Sequence, residues 1–202
     1  GAGVVISTCF GSRNHEKLHE AVETTILFAV IVGCFVSLIS VWVVPLMLKW
    51  MSTPDDVIGQ SALYMRIYFM GMPFFMLYNY GAAILRAIGD TKRPLIFLII
   101  SGIANAALNM ILVILFHMGV AGVAIGTIIS QLISCVLVLT CLYRSEGSYQ
   151  LRFSKLKING AYMEQIFQVG VPAGIQSTVI NLSNALLQSS VNSFGSIAMA
   201  GY

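Results

Sequence analysis

Of the 202 residues, 57% are hydrophobic and only 9% charged, against about 25% charged residues in an ordinary soluble domain. Long uncharged runs recur along the whole chain and leave no stretch for a soluble domain. The composition therefore excludes a soluble globular fold and indicates an all-α polytopic membrane protein, a bundle of transmembrane helices with the lipid bilayer as its solvent. The net charge of +3, scattered between apolar runs, is too weak for a nucleic-acid surface, and no nucleic acid is expected as a partner.

Residues 1–10 read as the tail of a helix rather than a cleavable leader, since no basic start precedes them. Gly1 stands where Met would open a complete chain, and both ends lie in apolar sequence. The chain is therefore expected to be a section of a longer polypeptide. A solvated helix start follows at Ser12, Arg13 and Asn14. Directly after it, His15-Glu16-Lys17-Leu18-His19 fits the metalloprotease string HExxH, in which two imidazoles one helical turn apart bind zinc and the Glu activates water. Its flanks are polar and no third ligand follows downstream, so a charged helix cap without metal is the expectation.

A hydrocarbon core about 30 Å thick needs about 20 apolar residues. Residues 24–48 form the first such run and 67–85 the second. Between them Thr53, Pro54 and Asp56 make a helix start, with Thr as cap, Pro in the first turn and an acid at the positive end of the dipole. Pro73, after Gly71, predicts a bend inside the second run. Residues 95–143 carry no charge over 49 positions, enough for two spans with a turn at His117, Met118 and Gly119. Another run opens after Glu164, with Pro172 near its start, giving four complete spans and two incomplete ones. Trp42, Trp50, Tyr143 and Tyr149 lie near span ends, where amphipathic rings suit the interface. Cys9, Cys34, Cys135 and Cys141 sit in apolar runs with no CxxC pair, which supports neither a zinc knuckle nor a disulfide framework.

Basic residues set the orientation. Arg13 and Lys17, then Arg86, Lys92 and Arg93, then Arg144, Arg152, Lys155 and Lys157 occupy alternate connections. By the positive-inside rule the loops at 11–20, 86–94 and 144–160 face the cytoplasm. Arg66, near the outer end of the second span, reads as a side chain snorkelling to headgroups or pairing with a nearby acid. All eight acids fall in connections or at span edges on this reading.

Polar residues inside the spans are few. With Met118 as the turn, Asn109 lies nine residues before it and Thr127 nine after, at one depth of about 13 Å. Asn105 and Gln131 pair at thirteen residues, about 20 Å in. Four hydrogen-bonding side chains near mid-membrane are costly against lipid, so they point at one another or at a cavity. Interhelical glue, at about 0.6 kcal/mol per bond, accounts for the same seam. Phe74, Phe75, Met76 and Tyr78 beside Pro73 either line a cavity or pack helices.

One string is far more specific. LRAIGDTKRP at 85–94 has a structural logic of its own: Gly89 permits a left-handed helix end, Asp90 or Thr91 caps the next helix, and Pro94 sits in its first turn. It also closely resembles the cytoplasmic connection between the fourth and fifth helices of the multidrug and toxic compound extrusion (MATE) transporters. GVAGVAIGT at 119–127 and VGVP at 169–172 resemble that family's entries into its sixth and seventh helices.

The resemblance covers essentially the whole chain. It implies helices two (partial) to seven of a twelve-helix, two-lobe transporter: residues 1–160 as most of the N-terminal lobe, with an inter-lobe linker at about 144–160, and 161–202 as the start of the second lobe. It further implies a multi-pass plasma-membrane exporter, not an enzyme. Such a protein moves amphipathic, often cationic small organic compounds outward in exchange for H+ or Na+, with no other cofactor, and its partner is the remaining lobe of the same chain. Asn105, Asn109 and Thr127 match positions that contribute to a cation or proton site in some members, although Asn109 stands where those have an Asp. Gln131 joins them by depth. Gln176 and Asn181 lie near Ile180, where some relatives carry a Glu. Two other readings remain: a lipid-linked oligosaccharide flippase of the same superfamily, which needs several cavity cations where only Arg66 is a candidate, and a membrane zinc protease resting on HEKLH.

Overall fold

The structure is a computed structural model that describes residues 1–50, 54–145, 147, 150 and 159–194. It is helical throughout: α1 (Ala2–Gly11), α2 (His15–Trp50), α3 (Asp55–Met70), α4 (Met72–Ala87), α5 (Lys92–Met110) running into a π-helical turn (Ile111–Leu115), α6 (Gly119–Arg144) and α7 (Gly160–Ser193). Among the described residues three stretches, His15–Trp50, Lys92–Leu115 and Gly119–Arg144, are long and apolar enough to cross a membrane. The second expected span differs from its predicted 67–85 limits. It runs from Asp55 to Ala87 as two helices broken at Gly71, two residues before the Pro73 ring that cannot continue the hydrogen-bond ladder.

The joints are local chemistry. α1 turns into α2 through Arg13 at φ +56°, and Asn14 Oδ1 accepts the Lys17 N–H at 3.1 Å as the cap of α2. α4 closes on Gly89 at φ +91°. There the Asp90 N–H reaches Leu85 O at 2.9 Å and the Gly89 N–H reaches Arg86 O at 3.1 Å, the paired bonds of a Schellman end. Of the two expected caps of α5 it is Asp90 that bonds, its Oδ1 accepting the Arg93 N–H at 3.2 Å. The turn between α5 and α6 falls where expected, with His117 at φ +51° and Gly119 at φ +60°. Thr53, Tyr149, Arg152, Lys155 and Lys157, and with them most of the 144–160 linker, lie outside the described residues.

α2 packs on α4, α4 on α6 and α6 on α5, while α1 lies against α2, α4 and α7. One core gathers at the end that carries the basic connections: Ile6, Leu18, Val22, Ile84, Leu85, Val138, Leu142, Tyr162 and Ile166 are all buried there. Phe10 and the Ile88–Lys92 joint border one cleft at this end, so the Arg13 and Arg93 connections are neighbours in space. α5 turns Leu95, Leu98, Ile99 and Ile103 outward at 53–67% exposure, a face that lipid covers at no cost.

One expectation needs correction here. Pro172 is not near a helix start, because α7 begins at Gly160 and Pro172 is interior to it. Glu23, at the edge of the first run, is 5% exposed within α2, and its Oε1 lies 2.9 Å from His19 Nε2.

α7 is fastened there. Asn159 donates its backbone N–H to Thr24 Oγ1 at 3.0 Å and its side-chain N–H to Glu20 Oε2 at 3.0 Å, while its Oδ1 caps α7 by accepting the Ala161 N–H. Thr24 is fully buried. Thr24→Val keeps the shape and removes the acceptor, so it is expected to cost about 1–3 kcal/mol, read as a lowered Tm in detergent. Thr25→Val is the control and should be near neutral, since the Thr25 hydroxyl donates only to Ala21 O of its own helix.

Candidate functional site

The site is the seam between α5 and α6. α6 presents Gly122 and Gly126 one turn apart, both buried, and they let α5 approach closely. A methyl on Gly122 would meet Leu112, and one on Gly126 would stand 2.5 Å from Asn109 Oδ1. Asn109 therefore meets α6 within one residue of Thr127, the depth that counting from the turn predicts. The Thr127 hydroxyl is engaged at home, donating to Val123 O at 3.0 Å.

Gln131 goes elsewhere. Its Oε1 lies where a methyl on Gly71 would be, 2.6 Å from that position, so its side chain enters the break between α3 and α4 rather than meeting Asn105. No hydrogen bond joins Asn105 to Gln131, since neither side-chain oxygen has a partner. Three carboxamide oxygens, Asn105 Oδ1, Asn109 Oδ1 and Gln131 Oε1, are thus buried and unbonded. An unbonded buried acceptor costs about 1–3 kcal/mol. Neutral oxygens of this kind are what a hard cation such as Na+ coordinates. Gln176 and Asn181 are not brought to this seam: both are exposed on α7, whose backbone, among the described residues, lies against α1 and α2.

Two polar features escaped the sequence reading. Asn79, on α4, donates to Phe75 O at 2.7 Å and lines a cavity of about 350 Å³ with Phe28, Tyr80, Phe167 and Gly170. Phe28 meets Tyr80 and Phe167 edge-on at 5.7 and 5.2 Å between ring centres, an arrangement that the ring quadrupoles favour. Glu23 is the other, and its i, i+4 spacing from His19 was the available signal. Tyr78 packs helices: its hydroxyl donates to Pro94 O at 2.9 Å. In the HEKLH string His19 faces Glu23, and among the described residues no three His, Cys, Asp or Glu side chains gather around a common metal position.

The MatE family profile matches residues 1–111. The probable multidrug resistance protein YoeA of Bacillus subtilis (strain 168) is 33% identical over 100% of this chain. The chain belongs to the MatE family. MatE members are transporters rather than enzymes. The MatE chain is also 24% identical, again over its full length, to the multidrug export protein MepA of Staphylococcus saprophyticus. It spans about half the length of these curated relatives, 45% of each. Among solved structures, a MATE crystal structure in the bent conformation superposes with a TM-score of 0.87 over 96% of this chain at 18% identity. An outward-facing multidrug resistance MATE family transporter gives 0.86 over 96%, also at 18%. The all-helical transporter fold is thereby established for the MatE chain.

Proposed function

We propose that the chain forms most of the first lobe, and the start of the second, of a multi-pass plasma-membrane exporter. It moves amphipathic, cationic organic compounds outward in exchange for H+ or Na+ by alternating access, in which ion binding acts through differential affinity for two states. Membership of the MatE family and similarity to multidrug resistance and export proteins support the substrate class. The observation that carries the site is Asn109, whose carboxamide oxygen is buried, unbonded and set against Gly126 at mid-depth between α5 and α6. In this reading Asn105, Asn109 and Thr127 surround a cation, Gln131 reports on the neighbouring helix break, and Gln176 and Asn181 face the second half of the transporter.

Asn109→Ala and Gly126→Ala test it in the complete polypeptide reconstituted in proteoliposomes. The first removes the oxygen and the second pushes it aside, so both are expected to raise the Na+ concentration for half-maximal export by about tenfold, equivalent to about 1.4 kcal/mol. Unchanged Na+ and pH profiles in both variants would reduce the seam to helix packing.

Orientation is the second expected result. An impermeant maleimide applied to intact cells should label Asp55→Cys and spare His15→Cys, because the basic connections face the cytoplasm. The reverse pattern would invert the topology.

A further inference from the structure

His15, His19 and Glu23 follow one another at intervals of four along α2, so they stand on one face, about 6 Å apart along the axis. Solvent leaves them in that order. His15 is exposed, the His19 side chain is 23% exposed and that of Glu23 is 6% exposed. The inner step is a close contact: His19 Nε2 lies 2.9 Å from Glu23 Oε1, and both atoms are shut off from solvent. Among the described residues Glu23 is the one charged side chain that is buried. Zinc does not explain this geometry, since the second histidine of HEKLH is turned to a carboxylate and not to a shared metal position.

An imidazole takes a proton on one nitrogen and releases one from the other near neutral pH, and a carboxyl group at hydrogen-bond distance exchanges a proton with it directly. His19 and Glu23 together hold one proton without net charge. In a discharge the Glu23 carboxyl O–H gives its proton to neutral His19 Nε2, and the imidazolium so formed releases a proton from its other nitrogen to His15 or to water. The emptied pair is a carboxylate beside a neutral imidazole, one negative charge in a buried place, which draws the next proton. Other charged and titratable groups surround the same turns among the described residues. They are Glu16, Lys17 and Glu20 on α2, Cys9 and Arg13 at the end of α1, Arg86 at the end of α4, and Tyr162 and Glu164 at the start of α7. Glu20 accepts from Asn159, Glu164 accepts from Gln168 and both are exposed, so Glu23 is the acid of this group that the bundle encloses.

We propose that His15, His19 and Glu23 form a proton ladder at the cytoplasmic end of α2, with Glu23 as the buried proton site and the two histidines connecting it to the cytoplasm. Its use, discharging into the cytoplasm a proton taken in exchange for substrate, rests on the exporter reading. Its existence does not.

Infrared spectra of the complete purified polypeptide test the site without transport. Between about pH 8 and about pH 5, the range in which imidazoles change charge, the parent should gain the C=O stretch of one protonated, buried carboxyl group. Glu23→Gln should lack that band, and His19→Gln should show it at a different pH. Glu16→Gln, an exposed position of the same string, should match the parent. A parent without the band, or a Glu23→Gln protein that keeps it, would reduce His19 and Glu23 to a structural pair. Everted membrane vesicles, whose outer face is cytoplasmic, test the histidines. There His15→Gln should slow tetraphenylphosphonium uptake at saturation by about tenfold with KM unchanged, less than the roughly 100-fold of a buried proton-transfer group because water partly replaces it. Imidazole added to the medium should restore the rate, which it would not do for a histidine that only holds structure. A normal rate in His15→Gln, or a slow one that imidazole leaves slow, would overturn the ladder. No uptake by the parent, with the infrared band behaving as expected, would overturn the exporter reading and leave the proton site standing.

Discussion

Gly33→Leu should prevent the bundle from assembling, and Gly33→Ala should already lower its Tm more than alanine at any open glycine. A methyl on Gly33 would stand 2.6 Å from Pro73 Cα, 3.1 Å from Pro73 N and 3.2 Å from Met72 O. All three are backbone atoms, and they sit just past the Gly71 break between α3 and α4. At Gly126 the opposing atom ends a side chain and at Gly81 it is a methyl of Val138, so each of those neighbours has a rotation to offer. At Gly33 only a shift of α2 away from α4 makes room. Overpacking of this kind costs about 1–3 kcal/mol and more where the backbone must move, and a leucine multiplies the volume to be found. Gly59→Ala and Gly102→Ala serve as references, since nothing lies within 4 Å of an added methyl there, and they should be neutral or gain about 0.5–1 kcal/mol from reduced chain entropy. Thermal unfolding in detergent and the monodisperse yield after size exclusion read the difference. A Gly33→Ala protein with the Tm of the parent would mean that α2 and α4 part without cost.

Asn109→Asp is expected to make stability itself depend on Na+. The parent holds a neutral oxygen at that point, so without Na+ it loses only the mass-action stabilisation of the bound ion and is left with no buried charge. A carboxylate near the centre of a span costs about 2.5–3.5 kcal/mol, a penalty that vanishes when a cation neutralises it. The variant should therefore unfold early in potassium or choline buffers at neutral pH and recover as Na+ is added, since a ligand of the folded state stabilises it by mass action. Acid pH, which protonates the carboxylate, should restore parent-like stability without Na+. Asn109→Leu should be insensitive to both. Recovery that does not distinguish Na+ from choline would mean that the carboxylate meets screening ions and no site.

What the sequence disclosed depended on distance along the chain. Gly89, Asp90 and Pro94 were read correctly because a Schellman end and its cap involve residues at most five apart. The turn at His117 and Gly119 was legible for the same reason, and with it the depth of Asn109. Gln131 was misdirected: counting from the turn gives its depth but not its direction, and α3, with its break at Gly71, lies on another side of α6 from α5. Pro172 looked like a helix start because Pro commonly stands there, whereas the polar residues before it, capped by Asn159 Oδ1, already form helix.

The fastening of α7 also dictates a timetable. The α4–α5 joint closes on neighbours and can set as soon as it is synthesised, whereas Thr24 waits for Asn159, 135 residues later in the chain. At roughly 5–20 residues per second, synthesis leaves an interval on the order of ten seconds. During it α2 is already in the bilayer with the Thr24 hydroxyl and the Glu20 carboxylate lacking this partner. The nascent protein thus passes through a stage in which its hairpins are complete and its first long helix is polar on one side. That stage ends only when α7 docks, and it is the one at which membrane chaperones and quality-control proteases have something to recognise.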